Sequence, residues 1–333
     1  MDVAFTLDFR NPARRPWREL WEDNLWLMRE AEAMGFGTLL VQEHFFTADG
    51  YGPSVPVLLT ALAERTRRAR LGSYLYILPL HNPVALAQET AVLDHLCGGR
   101  LDVVVGAGHR RLEFRAFNVP ETTRPSRMEE HLDLLTLAWT RRPFSYRGRY
   151  YDLTDVEVSP EPLQQPHPPL WVGATQPQAA ARAGRRGLHL AAASAEPEFF
   201  DAYFSALDAA GHSRSQAQVS RQWSITTTFE DPDVVWDRYA DLHFERWDFY
   251  SRIRSEIGDP LITPDQRQVS RRYRAKELIG TPGQILDVLR QACATMPFTR
   301  IINSATAGVP VREVLYPSLK LFADHVLPDL LAL

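Results

Sequence analysis

The sequence predicts an α/β fold: a (β/α)8 TIM barrel in which residues 1–333 form one domain, with an insertion over the barrel mouth at about 231–275. Three observations predict it. Short apolar runs suited to buried parallel strands alternate with longer stretches of helical spacing, and about eight such units can be counted. The glycines Gly106 and Gly108 are not followed by the third glycine of a dinucleotide fingerprint, because position 111 is arginine. That departure counts against an open, doubly wound sheet.

Val3–Leu7 is the first strand, and a turn containing Asn11, Pro12 and Pro16 follows it. Trp17, Leu20, Trp21, Leu27, Met28, Ala31 and Met34 then recur at helical spacing, and Gly35 supplies the stop. Thr38–Val41 reads as a second strand, Ser54–Thr66 as a helix, Leu71–Leu78 as the third strand and Pro83–Leu96 as a helix. Leu101–Val105 is the fourth strand. Ser126 and Glu129 have the spacing of a capping box opening a helix that ends near Thr140. Phe144–Val158 predicts a two-stranded excursion, and the proline-rich Pro160–Pro169 leads into a short strand, Leu170–Val172. A helix at Pro177–Arg185, a strand at Leu188–Ala192, a helix at Glu198–Ala210 and a strand at Gln222–Thr228 continue the alternation. The polar and aromatic segment from Asp231 to Tyr273 is too long for a plain connection. Helix Pro282–Thr295, strand Arg300–Asn303 and helix Val311–Val326 complete the eighth unit, so the first and last strands should be neighbours.

A formal net charge of −4 gives no electrostatic case for nucleic acid or a membrane surface as partner. Lys276 and Lys320 are the only lysines. Two cysteines, Cys97 and Cys293, are too few for a disulfide framework or a structural zinc site, and the ten histidines show no H-x-x-x-H spacing, so no metal is expected. The amino-terminal residues lack a signal core, and no stretch nears 18 apolar residues. A soluble cytoplasmic protein is the expectation.

Barrel enzymes carry their working groups where the strands end, which singles out His44, just past Thr38–Val41. Its imidazole can take or give a proton near neutrality, or it can simply be hydrogen-bonded in the rim. Glu43 is expected to point the other way, as a structural acceptor. Gly106, Ala107 and Gly108 leave backbone open to a ligand, with Arg110 and Arg111 as nearby cations or ordinary surface arginines. Gly173, Ala174, Thr175 and Gln176, ahead of Pro177, have the pattern of a turn and a capped helix start. Such a start can bind a phosphate through backbone N–H groups, or be only a well-capped helix. His81, His109 and His189 read as structural.

Several segments in order resemble the bacterial luciferase-like flavin monooxygenases. They are Glu43-His44-Phe45-Phe46, Leu78-Pro79-Leu80-His81-Asn82-Pro83, Gly98-Gly99-Arg100-Leu101, Pro168-Pro169-Leu170-Trp171-Val172-Gly173-Ala174-Thr175, Gly280-Thr281-Pro282 and the run 321–328. The resemblance spans nearly the whole chain. It implies a barrel, usually a homodimer, that binds reduced FMN supplied by a separate flavin reductase and reacts with O2 through a C4a-(hydro)peroxide to oxygenate a moderately hydrophobic organic substrate. It places the family's catalytic histidine at His44 and a non-proline cis peptide beneath the flavin at Tyr74–Leu75. Phosphate contacts fall at Gly173–Gln176. Phe45 stands where the family often has a second histidine, and Ala107 stands where luciferase proper has a basic residue. Two alternatives stay open: a deazaflavin (F420)-dependent oxidoreductase transferring hydride, and a non-catalytic flavin-binding subunit, which those departures keep alive.

Overall fold

The computed structural model describes residues 1–255, 274, 277–305 and 308–333. One parallel sheet organises the chain. Its strands are β1 (Asp2–Leu7), β2 (Thr38–Val41), β3 (Arg70–Ser73) with β4 (Tyr76–Ile77), β5 (Leu101–Gly106), β8 (Leu170–Ala174), β9 (His189–Ala192), β10 (Val219–Thr227), β11 (Glu277–Gly280) and β12 (Arg300–Ala305). β6 (Phe144–Arg147) and β7 (Asp152–Val156) make a separate antiparallel pair, as the excursion predicted. The sheet runs β11-β10-β12-β1-β2-β3-β5-β8-β9, and β9 pairs with β10 to close the eight-stranded TIM barrel. Val3, Val41, Leu71, Val103, Val105 and Ile301 are fully buried. Strands covered on both faces read as unbroken apolar runs, which is why the runs were visible in sequence.

The chain divides into two compact units. The first comprises Met1–Leu40, Thr47–Gly52 and Gln218–Leu333, and the second Val41–Phe46 and Pro53–Ala217. In the first, β1 and β12 pair in parallel from Asp2↔Arg300 to Leu7↔Ala305, so the predicted neighbours meet. β10 pairs with β12 over Ser220–Ser224 and with β11 over Ser224–Thr227. β11 was missed in sequence because four residues beside a polar segment carry no periodicity of their own. Asp2 ties the starts of three strands by accepting from Arg300 Nε at 2.5 Å and Thr38 Oγ1 at 2.9 Å. Helix α8 (Pro232–Ser255) opens the expected insertion, and 256–273 with 275–276 lie outside the described residues. Among the described residues no helix is long and apolar enough to cross a membrane.

In the second unit the helices α2 (Val55–Arg65), α3 (Pro83–Leu96), α4 (Arg111–Ala116), α5 (Arg124–Thr140), α6 (Pro177–Arg185) and α7 (Pro197–Ala209) follow their strands. Five of them, α2, α3, α5, α6 and α7, carry proline in the first turn, where its missing N–H costs nothing. Three expectations are corrected here. The third strand is not continuous over Leu71–Leu78: it breaks into β3 and β4 around a cis bond between Tyr74 and Leu75. The Ser126 capping box does not form, since α5 begins at Arg124 and Ser126 Oγ donates back to Thr123 O. The short helix α4 was not anticipated, and it contributes to the site.

Candidate active site

Past β2 the chain turns through Glu43 and His44, and their side chains take different environments. Glu43 is 3% exposed; its Oε2 accepts the Ile77 N–H at 2.7 Å and lies 2.9 Å from His81 Nε2. Burial alone would lower the His81 pKa, but the Glu43 carboxylate outweighs it and raises it. Burial first, then Glu43, hold the Tyr76 hydroxyl well above its ordinary value. Glu43 and His81 therefore form a structural pair beneath the strand ends, the role expected of Glu43.

His44 is 8% exposed, and its Nδ1 lies 3.5 Å from Oε1 of Glu113 on α4. The same oxygen accepts the Phe45 N–H at 2.9 Å. Arg110 Nη1 stands 3.8 Å from it and donates to Phe45 O at 2.5 Å, while Nη2 reaches Phe46 O at 3.4 Å. Arg110 is thus a clamp on the His44–Phe46 turn. A carboxylate facing Nδ1 at this distance can orient the ring and leaves Nε2 on the side away from Glu113. Nothing in the sequence pointed to Glu113, because His44 and Glu113 meet only after three strands and two α-helices intervene.

Beside this pair lies an apolar wall. Phe45 packs on the buried cluster of Ile77, Leu80 and Phe114. Phe117 sits 4.8 Å from Phe45 and 5.3 Å from Phe46 between ring centroids. Phe46 is 55% exposed and takes φ +57°, a left-handed conformation that bulky residues rarely adopt. The second imidazole here is His109: its ring stands edge-on to His44 with centroids 6.3 Å apart. Burial first, then His44, Arg124 and Arg110, outweigh Glu113 and lower the His109 pKa to about 4. His109 read as structural in sequence, and nothing local marked it.

The remaining predicted residues gather around Leu75. A Cβ on Gly106 would lie 2.7 Å from Leu75 Cδ1, and one on Gly173 would lie 2.2 Å from Leu75 Cδ2. The two glycines are not open backbone awaiting a ligand: Leu75 fills the space that their side chains would need. Tyr74 and Leu75 pack on the buried cluster of Val104, Trp171 and Ala191, forming an apolar shelf at the ends of β5 and β8. Ala107 is half-buried in the loop after β5, and Gly108 has φ +68° with Ile77 Cγ2 2.4 Å from its Cβ position. Arg111 is half-exposed and pairs with Glu121 at 3.2 Å.

Gly173 does not make the turn after β8; it lies within that strand, opposite Ala191. Ala174 ends the strand. Thr175 does not cap the helix, because the N-cap of α6 is Gln176, without a side-chain cap bond. Both residues are exposed, and Pro177 fills the first turn as expected. His189 packs tilted against buried Trp171, with centroids 4.8 Å apart, a packing position. Among the described residues no group of three or more His, Cys, Asp or Glu is placed to hold a metal ion.

Comparison with known proteins matches residues 1–299 to the model of the luciferase-like monooxygenases. An uncharacterized protein of Sinorhizobium fredii, y4wF, is 33% identical over 51% of this chain and 50% of its own length. The chain thus spans about half the length of the first curated relatives it matches, 50% and 46%. The oxygenase component of the flavin-dependent trigonelline monooxygenase of Acinetobacter baylyi is 23% identical over 82% of this chain and 80% of its own. An F420-dependent glucose-6-phosphate dehydrogenase of Kineococcus radiotolerans is 31% identical over 61% and 63%. The crystal structure of the monooxygenase RslO1 from Streptomyces bottropensis shares the fold with a TM-score of 0.84, covering 99% of this chain and all of that one at 23% identity. With the family model matched along nine-tenths of its length on a closed eight-stranded barrel, this chain belongs to the luciferase-like monooxygenase family.

Proposed function

We propose that the chain is a monooxygenase that uses reduced FMN and O2 to oxygenate a moderately hydrophobic organic substrate. A separate flavin reductase delivers the FMN, and the working protein is a homodimer. The observation that carries this reading is the His44–Glu113 pair beside the exposed rings of Phe46 and Phe117. It puts a proton-handling imidazole next to an apolar contact surface.

The residues present fit a flat ring system. Leu75, seated in the gaps at Gly106 and Gly173, offers an apolar face. Ala107 and Gly108 follow β5 in the next loop, and Tyr74 packs with Leu75 on the same buried cluster. Ala174, Thr175 and Gln176, at the start of α6, are the residues to meet a phosphate, through backbone N–H groups and without a lysine. When bound, the reduced flavin supplies the electrons that activate O2. His44 holds or yields the proton that the oxygen transfer requires, and Glu113 and Arg110 keep its ring and backbone in place. The Phe45–Phe46–Phe117 cluster holds the apolar body of the substrate and excludes water.

A second reading stands beside it, because an F420-dependent dehydrogenase is among the relatives. The same His44–Glu113 pair would then serve hydride transfer by taking the proton of a substrate hydroxyl. Anaerobic titrations with reduced FMN and with reduced F420, followed by stopped-flow mixing with O2, separate the two. Tight binding of reduced FMN and its rapid oxidation support the monooxygenase. Exclusive binding of F420 overturns it.

A further inference from the structure

We propose that His109 is a second working side chain of this site, a neutral imidazole that donates its ring N–H to the oxygen of an uncharged carbonyl substrate while His44 handles the proton. The inference rests on the proposed role of His44 and goes beyond it by assigning a partner and a substrate class.

The placement is built rather than incidental. His109 follows β5, at the strand end where barrel chemistry is done. Its loop is fixed on both sides: Gly108 has no room for a Cβ against Ile77 and Phe114, and Arg124 Nη1 donates to Gly108 O at 3.2 Å. The ring meets His44 edge-on at 6.3 Å, so the two imidazoles come from two different strand ends. Phe45 follows His44, so the second imidazole beside His44 comes from the end of β5 instead.

The surroundings divide the labour. His44 has the Glu113 carboxylate beside Nδ1. His109 faces His44, Arg124 and Arg110, with Glu113 as the opposing carboxylate, and burial first lowers its pKa to about 4. Two imidazoles in such different surroundings are suited to separate roles, one exchanging a proton and one only donating a hydrogen bond. A neutral donor suits a neutral acceptor. The nearby guanidiniums are engaged, Arg124 on Gly108 O and Arg110 on Phe45 O, and the exposed rings are apolar. An uncharged ketone or aldehyde matches the apolar rings and the neutral donor. No bond to His109 forms or breaks, and its proton stays on the ring.

The binding and resonance measurements use the full chain without cofactor, so they do not depend on flavin or turnover. Histidine nitrogens are labelled with 15N, and cyclohexanone is the probe. His109 should hold one protonated and one bare nitrogen from about pH 5 to pH 9, and saturating cyclohexanone should move its N–H resonance. His109→Phe keeps a ring against His44 but no donor, and should weaken cyclohexanone binding about tenfold, the scale of one neutral hydrogen bond. His109→Gln, which keeps a neutral donor, should restore most of the affinity, with both variants melting close to wild type. A His109 that charges above pH 6, an N–H resonance unmoved by the ketone, or equal affinity in His109→Phe overturns the proposal. His44→Ala should leave the resonance shift intact while abolishing turnover. Full turnover in His44→Ala would overturn the proton-handling reading instead.

Discussion

Gly173→Ala would place a methyl carbon 2.2 Å from Leu75 Cδ2 and 3.5 Å from the Val105 carbonyl oxygen. Forcing one methyl into such a contact costs about 1–3 kcal/mol. Leu75→Ala alone removes a half-buried side chain, roughly half of the ~2–3 kcal/mol that a fully buried leucine contributes. In the Leu75→Ala background the new methyl has open space, so Gly173→Ala should then cost close to nothing. The assay is a double-mutant cycle of four proteins by urea denaturation, followed by tryptophan fluorescence at constant m value. A coupling of about 1–3 kcal/mol is expected, and the same cycle read through reduced FMN affinity should show Gly173→Ala weakening binding by displacing the shelf. If Gly173→Ala costs the same with and without Leu75, to within about 0.5 kcal/mol, the argument that the two glycines exist to seat Leu75 is wrong.

Five further outcomes are expected. His44→Ala should keep the fold and lower turnover by about 10²-fold or more, the scale of a positioned acid–base; near-wild-type oxygenation would make His44 structural. Glu113→Gln keeps an acceptor for the Phe45 N–H but loses the charge beside His44, so turnover should fall at least about tenfold with little change in melting temperature. His109→Gln bears on acid stability. The folded pKa of His109 is lowered to about 4 from 6.5, so stability is fully present above pH 6.5 and is lost as pH falls toward 4. At about 1.4 kcal/mol per pH unit, the difference approaches 3 kcal/mol. The glutamine variant should therefore lose less stability than wild type across that window in urea titrations, and an equal loss refutes the assignment. Reduced riboflavin should bind much more weakly than reduced FMN if the start of α6 meets the phosphate. Thr175→Ala should leave stability within about 0.5 kcal/mol of wild type because Thr175 makes no cap bond.

Local pattern carried much of the fold. The helices Pro83–Leu96, Pro177–Arg185 and Pro282–Thr295 have the ends that the sequence suggested, since each begins at a proline suited to the first turn and continues with helical spacing. The capping box actually present is Thr281 with Gln284, while the Ser126 pattern is bypassed by a helix that starts two residues earlier. Strands buried on both faces were legible as apolar runs, and the pairing of β1 with β12 followed from counting eight units. His44 was legible because it directly follows such a run.

Its partners were not. Glu113 and His109 reach His44 from the end of β5, more than 60 positions away, and no periodicity within one element records which strand ends lie together. Gly106 and Gly173 were noticed as glycines, but what they accommodate is a leucine from a third segment. Helical and strand periodicities record whether a residue faces solvent or core, a property settled within a few neighbours along the chain. The chemistry of the site depends instead on the register of a closed sheet, which brings β2, the β3–β4 break, β5 and β8 to a common end, and only the tertiary structure fixes that register.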